Sequence, residues 1–235
     1  MTRQHAESGP GELAPRVVVL HMRHHVMKNY NYLVVDPGSR QAVIVDPAWD
    51  IDTIDRSLAD AQADLSGILV THSHPDHTDL AAPLAMRYGC PIWMSRVEIA
   101  ASGFSARQLV GIDTRTWPVG QMLIEPMFTP GHTPGCTCYL IGDNLFSGDV
   151  LFSEGCGMCP DLQAAHAMFD SLATLKTWLK PQTRVFPGHS YGTPPGQTLS
   201  QLLRDNIYLQ FSDKHSFAAF RLRSGQNTSR MFSFS

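Results

Sequence analysis

Residues 71–77 read Thr71-His72-Ser73-His74-Pro75-Asp76-His77, three imidazoles and one carboxylate within six residues. Core packing calls for no such density of polar, metal-ligating side chains. His72 and His74 alternate, so an extended backbone turns both imidazoles to one side. Pro75 suits the bend into a helical first turn, and Asp76 and His77 follow that bend. The stretch comes directly after Gly67–Val70, a short apolar run that reads as a buried strand. A strand that ends in a ligand-rich loop is how α/β sheets present their sites.

Upstream of this stretch, Arg16–Met22 reads as a first strand. Tyr30–Val35 and Gln41–Val45 form a hairpin pattern around Asp36-Pro37-Gly38-Ser39, and the second arm runs into Asp46-Pro47. Asp50 is placed to cap a helix whose Ile51, Ile54, Leu58 and Ala61 keep helical spacing. Downstream, the pattern predicts a helix from Asp76 to Tyr88 and a strand over Pro91–Met94. One short helix and a loop are expected within Glu98–Thr116, then a strand over Met122–Phe128. Cys136–Ile141 and Asn144–Phe146 make a second hairpin. Asp161 caps a long helix with an apolar stripe of Leu162, Ala165, Met168, Leu172, Leu175 and Leu179, which Pro181 stops. Arg184–Phe186 is a further strand, and Pro194–Phe211 reads as mostly helical. Residues 1–15 and 224–235 read as tails on one domain spanning 16–223.

More ligand-type residues fall just after predicted strands. His132 and His189 each sit in a Pro-Gly-His turn, and Asp149 ends Ser147-Gly148-Asp149. A single His in such a turn is commonly structural. Together with His72, His74, Asp76 and His77, however, they make seven nitrogen and oxygen donors on strand-end loops. That set suits two adjacent metal ions. A closed structural zinc site would draw on cysteine thiolates, and none belongs to this set, which favours an open, catalytic site.

Composition narrows the function classes. Net charge is −3 with no basic arm or patch, which argues against a nucleic-acid partner. No apolar run is long enough to span a bilayer, and the first fifteen residues lack the apolar core of a signal peptide. Five cysteines, an odd and unevenly spaced number in 235 residues, do not make a disulfide framework. A reducing cytoplasm is the expected setting.

The order His72-x-His74-x-Asp76-His77, His132, Asp149, His189 resembles the metallo-β-lactamase superfamily over roughly Tyr30 to Tyr191, with Asp46 matching its first motif. The resemblance implies an α/β fold, a four-layer αββα sandwich of two mixed β-sheets with outer helices. It implies that His72, His74 and His132 hold one metal and that Asp76, His77 and His189 hold a second. Asp149 would bridge the two, and Asp46 would buttress the ligand loop. From the residues alone, Asp46 serves equally well as a turn-capping Asp before Pro47. Two zinc ions per chain are implied, with iron or a mixed pair as the alternative, and Asp76 and Asp149 become the catalytic carboxylates. Zinc lowers the pKa of bound water to about 7, so hydroxide is available at neutral pH.

Within the superfamily, Thr129–Gly135, Ser147–Phe152, Gly155-Cys156-Gly157 and His189-Ser190-Tyr191 resemble the glyoxalase II branch of thioester hydrolases. That branch continues after Gly-Cys-Gly with a Lys and, two residues on, a Tyr that grip glutathione. Here Met158 and Pro160 stand at those places, and neither gives a peptide carboxylate a partner. A closer resemblance is to the glyoxalase II-like acyl hydrolases found with modular polyketide synthases. It is carried by Glu154-Gly155-Cys156-Gly157-Met158-Cys159, by Met168–Leu172 and by Asn206–Phe211. It implies an acyl thioester substrate on the phosphopantetheine of an acyl carrier protein, with Met158 and Tyr191 as substrate contacts. Tyr191 serves equally as a packed rim residue. Two alternatives carry different chemistry. One is hydroxyacylglutathione hydrolysis. The other is persulfide dioxygenation on a single iron held by residues matching His72, His132 and Asp149. A binding module that had lost its site would lack ligands, and none is missing. Cys156 and Cys159 read either as a redox or zinc pair or as two packed thiols at a Gly-permitted turn. Arg204, Lys214, Arg221 and Arg223 read either as contacts to an acidic carrier or as solvated charge.

Overall fold

A computed structural model describes residues 14–225; most of both expected tails lies outside the described residues. In chain order the strands and helices are β1 Arg16–His24, β2 Met27–Val35, β3 Gln41–Val45, α1 Ile51–Ala61, β4 Asp64–Leu69, α2 Pro75–Thr78, α3 Ala81–Tyr88, β5 Ile92–Ser95, α4 Arg96–Ser102, β6 Leu109–Ile112, β7 Trp117–Val119, β8 Met122–Phe128, β9 Thr137–Ile141, β10 Asn144–Gly148, α5 Leu162–Trp178, β11 Arg184–Pro187, β12 Gln197–Thr198, α6 Leu199–Asp205 and α7 Lys214–Arg221. The strands form two six-stranded sheets, ordered β1-β2-β3-β4-β5-β6 and β12-β11-β10-β9-β8-β7. Both are mixed. In the first, β3 to β6 run parallel and the β1–β2–β3 meander is antiparallel. In the second, only β10 and β11 pair in parallel.

Three apolar clusters account for four layers. Tyr32, Val34, Val43, Val45 and Leu69 of the first sheet meet Ile124, Tyr139, Ile141, Phe146 and Phe186 of the second. The opposite face of the first sheet is covered by α1, α3 and α4 through residues such as Ile54, Leu58, Leu84 and Ile99. The opposite face of the second is covered by α5 to α7 through Met168, Leu172, Leu175, Leu202 and Phe217. A central strand is therefore covered on both sides, which is why β3 reads as a continuous apolar run rather than an alternation. The helix–sheet–sheet–helix order is the one expected from the sequence.

Helix caps follow local chemistry. Asp50 accepts from Thr53 N to start α1, and Asp161 accepts from Ala164 N to start α5. Thr198 and Gln201 close a reciprocal capping box on α6.

Several elements depart from the sequence pattern. The helix expected over 76–88 is broken between Thr78 and Ala81. There Leu80 N donates to Pro47 O (3.0 Å) and Asp79 Oδ2 accepts from Trp49 N (3.1 Å), so contacts to the 47–49 loop replace helical continuity. The Glu98–Thr116 region holds strand β6, a four-residue edge strand parallel to β5. Leu162 is 56% exposed rather than part of the buried stripe, because α5 has not yet met the sheet at its first residue. Pro194–Phe211 opens with the two-residue strand β12 and holds only one short helix, α6, and one 3-10 turn, Ile207–Leu209. The short β7 and the final α7, capped by Asp213, carry too little periodicity to be read.

The sheets are stitched together at one edge. Tyr32 Oη donates to Pro187 O (2.5 Å) and Tyr139 Oη to Val70 O (2.9 Å), each from the opposite sheet. Tyr30 N donates to Gly188 O and Thr137 N to Thr71 O, both at 2.9 Å. At this edge the chain leaves β3 at Asp46, β4 at Val70, β8 at Thr129, β10 at Asp149 and β11 at Gly188.

Candidate metal centre

All seven ligand-type side chains converge on this edge. Two triads place one ligand atom each within 4.8 Å of one another: His72, His74 and His132, and Asp76, His77 and His189. Asp149 lies between them. Its Oδ1 is 3.4 Å from His77 Nε2 and 3.5 Å from His189 Nε2, and its Oδ2 is 3.6 Å from His132 Nε2.

The imidazoles are oriented from behind. His132 Nδ1–H donates to Met158 O (2.8 Å) and His189 Nδ1–H to Lys28 O (3.0 Å); a carbonyl can only accept, so the tautomer is fixed. His77 Nδ1–H donates to Asp46 Oδ2 (2.9 Å). Thr71 Oγ1 donates to Asp46 Oδ2 (2.7 Å) and therefore accepts from His72 Nδ1 (3.1 Å). Each of these four rings thus turns an Nε2 lone pair toward the centre, the arrangement outer hydrogen bonds impose on metal-binding His. His72 Nε2 and His132 Nε2 both lie 3.0 Å from His74 Nδ1, which can donate to only one of them.

These contacts fit a metal better than they fit hydrogen bonding. His77 Nε2 and Asp149 Oδ1 are buried and have no hydrogen-bond partner among the described residues. Buried polar atoms are rarely left so. Separations of 3.4–3.6 Å are long for hydrogen bonds. They are close to the ~3.3 Å between two ligands that share a tetrahedral ion at bond lengths of about 2.0–2.1 Å. A third group, Asp46 with His72 and His77, is equally compact. Its Asp46 oxygens, however, are already used by Thr71 and the Nδ1 side of His77. Asp46 thus sits behind the ligands, at the place expected of a buttress.

The charges of the site compensate one another. Burial pushes the Asp76 and Asp149 carboxyls up, but the surrounding imidazoles outweigh it and hold both below the usual carboxylate range. Burial pulls His77 down, yet Asp149, Asp46 and Asp76 hold it at about 9. His189 is likewise raised against burial by Asp149 and Asp76. Burial and the neighbouring imidazoles push His72 well down. Without metal, a proton on His77 stands in for the cation, and a metal bound there would displace it.

Space at the centre is tight. A Cβ on Gly188 would lie 2.5 Å from His77 Cε1 and 2.7 Å from Asp149 Oδ1, so only glycine lets β11 end here.

The rim is built from residues 151–160 and 189–193. Phe152 packs its ring 6.2 Å from His189 and 5.5 Å from Tyr191. Glu154 accepts from Tyr191 N (3.3 Å) and Thr193 N (2.6 Å). Asn206 Nδ2 donates to Phe152 O (3.0 Å) and Gly155 O (2.9 Å), so the segment before α7 braces the rim. Burial, with Asp149 nearby, raises the Tyr191 phenol, which stays a hydrogen-bond donor at neutral pH. Met158 contributes through its carbonyl, while its side chain is 48% exposed.

Of the four basic residues considered as carrier contacts, Arg221 is buried and donates to Tyr208 Oη (2.9 Å), so it is not surface charge. His21, His24 and His25 stay outside the ligand triads; His24 stacks on Trp49 instead.

All five cysteines are unbridged and buried. Cys156 and Cys159 sit in the outer core against α5. Burial raises both thiols, Cys159 to about 11 and Cys156 further. They are packed thiols rather than a reactive pair. The native protein is expected to react with fewer than one equivalent of a chromogenic disulfide reagent at pH 8, and with five once denatured. Rapid labelling of two thiols in the native state would restore the redox reading.

Three positions escaped the sequence reading. Asn29 donates through Nδ2 to Asp76 O (2.6 Å) and Asp76 Oδ2 (3.2 Å). Asn31 joins Asp46 O to Ala48 N. Glu98, on α4, touches both ligand loops. For the asparagines, two buried amides inside an apolar strand were the available signal. For Glu98 it was the spacing Ser95-x-x-Glu98.

The metallo-beta-lactamase superfamily domain matches residues 27–189. A relative in Bacillus velezensis, named as the probable polyketide biosynthesis zinc-dependent hydrolase BaeB, is 44% identical over 205 residues, covering 86% of this chain and 91% of that one. A hydroxyacylglutathione hydrolase of Shewanella halifaxensis is 35% identical over 173 residues, covering 69% of this chain and 62% of that one. A solved metallo-beta-lactamase from Staphylococcus aureus superposes with a TM-score of 0.80 at 20% identity over 92% of this chain and 69% of that one, a likeness of fold. The chain belongs to the metallo-beta-lactamase superfamily.

Proposed function

We propose that this member of the metallo-beta-lactamase superfamily is a zinc-dependent hydrolase of acyl thioesters, acting on acyl groups carried by the phosphopantetheine of an acyl carrier protein in polyketide biosynthesis. The observation that carries the hydrolase reading is the convergence of two triads on either side of Asp149. The substrate class is supported by near full-length similarity to a polyketide-associated zinc hydrolase and by the rim, where Met158 offers a glutathione carboxylate no cation. Five buried thiols with no disulfide support a reducing, cytoplasmic setting. No helix among the described residues is long and apolar enough to cross a membrane.

In this reading His72, His74 and His132 hold one zinc ion, Asp76, His77 and His189 hold a second, and Asp149 serves both; iron or a mixed pair is the alternative loading. Zinc bound there supplies hydroxide at neutral pH and a Lewis acid for the acyl carbonyl. The chain does the remaining work. Asp46, Thr71 and the carbonyls of Lys28 and Met158 keep the ligand tautomers correct before substrate arrives. Asp76 and Asp149 balance the positive charge. Tyr191 donates a hydrogen bond to the bound thioester, and the exposed Met158 side chain lies along its uncharged pantetheine arm. Phe152 keeps the His189 side of the site dry.

The test is a hydrolysis panel with metal quantified in the same sample. Carrier-bound acyl thioesters are expected to outperform acyl N-acetylcysteamine, and lactoylglutathione is expected to be poorest. A hydrogen bond to a charged group is worth ~1.5–3 kcal/mol, so each unmatched glutathione carboxylate should lower kcat/KM by roughly ten- to a hundredfold. Preference for lactoylglutathione would move the substrate to glutathione thioesters. One iron per chain with oxygen consumption on a persulfide would replace the hydrolase with a dioxygenase.

A further inference from the structure

Glu98 lies outside the ligand set and is 1% exposed. Four donors converge on its carboxylate. Oε1 accepts from Ser73 N (2.9 Å) and Ser73 Oγ (2.6 Å). Oε2 accepts from Thr133 Oγ1 (2.7 Å) and Gly135 N (2.9 Å). Ser73 lies between His72 and His74, and Thr133 follows His132. One oxygen therefore holds each of the two loops that supply the first triad. These loops leave β4 and β8, which belong to different sheets.

Local sequence puts the carboxylate there. Ser95-x-x-Glu98 is the spacing of a capping box, in which Glu turns back to the N-cap amide. Ser95 does its part, accepting from Glu98 N (3.0 Å). Its hydroxyl, however, also donates to Gly135 O (2.7 Å), and the Glu98 side chain reaches to the loops instead. The backbones are in close contact: a Cβ on Gly135 would lie 2.1 Å from Glu98 N, so residue 135 must be glycine for the loop to arrive. A buried carboxylate that only stabilised α4 would satisfy helix amides. This one satisfies donors on both ligand loops.

We propose that Glu98 is a positioning residue for the metal centre, fixing the separation of the His72/His74 loop from the His132 loop and thereby setting the zinc affinity of the first triad. The proposal rests on the reading of these three His as zinc ligands. Glu98 touches neither the ligand atoms nor the substrate.

Glu98→Gln tests it with little change of shape. Either amide orientation points an NH2 at a backbone N–H, that of Ser73 or that of Gly135, and neither amide can turn away. One loop is therefore released. Zinc affinity of the purified protein is read by competition with a chromophoric chelator, and the unfolding midpoint of the metal-free protein is read alongside. E98Q is expected to hold zinc ten- to a hundredfold more weakly, the usual cost of losing an outer partner of a metal site. A merely structural role would lower the unfolding midpoint and leave the folded protein's zinc affinity unchanged, and that result overturns the proposal. Should E98Q fail to fold, Thr133→Ala decides instead: it removes one donor, creates no opposed pair, and is expected to weaken zinc by a smaller factor in the same direction. Unchanged affinity in T133A would then overturn it. Wild-type protein that takes up no zinc would refute the zinc assignment itself, a separate outcome.

Discussion

Asp149→Asn is expected to abolish thioester turnover, by about a thousandfold or more, while leaving the fold in place. The fold should survive because Asp149 Oδ1 has no hydrogen-bond partner to lose. Through Oδ1 the carboxylate makes no hydrogen bond that its isosteric amide would lose, and what the amide removes is the charge that balances His77. The site should fail because Asp149 is the group that faces both triads, 3.4–3.6 Å from His77, His189 and His132. The amide carries no charge, and its NH2 has no lone pair to offer. Metal-derived stabilisation of a polarised carbonyl is worth several kcal/mol, and each 1.36 kcal/mol is a factor of ten in rate. Zinc per chain, kcat and the thermal midpoint should be measured on one preparation. D149N with normal zinc content and normal turnover would remove Asp149 from the site. Asp76→Asn should also stop turnover while retaining zinc at the first triad, since the imidazoles beside its carboxylate are those of His77 and His189.

The candidate ligands were legible because their chemistry restricts residue type. Few side chains bind zinc, so His72 to His77, His132, Asp149 and His189 stand out in any sequence, and strand-end turns place them. The layer order was legible for a related reason: β3 is a continuous apolar run bounded by turn residues, and α5 is long with an apolar stripe at helical spacing. The groups that aim the ligands were not legible. Glu98 reaches residues 25 and 35 positions away in sequence, and Asn29 reaches one 47 away. Each is an ordinary polar residue whose role exists only once two sheets have closed. The break at Asp79-Leu80 was hidden likewise, because the contacts that favour it come from Pro47 and Trp49. The rim segment 154–160 carries its message by omission, in the absence of a cation at Met158.

Asp46→Asn should show how far one outer carboxylate controls the centre. Asp46 is 2% exposed and takes three hydrogen bonds. Oδ1 accepts from Thr71 N (2.8 Å), and Oδ2 accepts from Thr71 Oγ1 (2.7 Å) and His77 Nδ1 (2.9 Å). In the asparagine the carbonyl must stay on the Thr71 N side, because that amide proton has nowhere else to go. The NH2 then faces His77 Nδ1 and Thr71 Oγ1. His77 can answer only by accepting at Nδ1, which moves its proton to Nε2, the atom that faces Asp76 and Asp149. The Thr71 hydroxyl, now an acceptor from the amide, turns its proton to His72 Nδ1 (3.1 Å). That puts the His72 proton on Nε2 as well. A single isosteric change thus protonates one ligand atom in each triad. Losing one outer partner costs about ten- to a hundredfold in metal affinity or activity. Two at once, acting through wrong tautomers, should approach the ~10⁴-fold loss seen when a catalytic His is held in the wrong tautomer. Stability should change little, since D46N keeps its shape and its hydrogen bonds. Asp46→Ala should instead unfold more readily, because it leaves three buried donors unmet at about 1–3 kcal/mol each. Nitrogen-15 spectra of metal-free D46N read the tautomer at His72, whose ring burial keeps neutral. The wild-type tautomer at His72, with full turnover, would show that the ligands orient themselves and that Asp46 does no more than cap its turn.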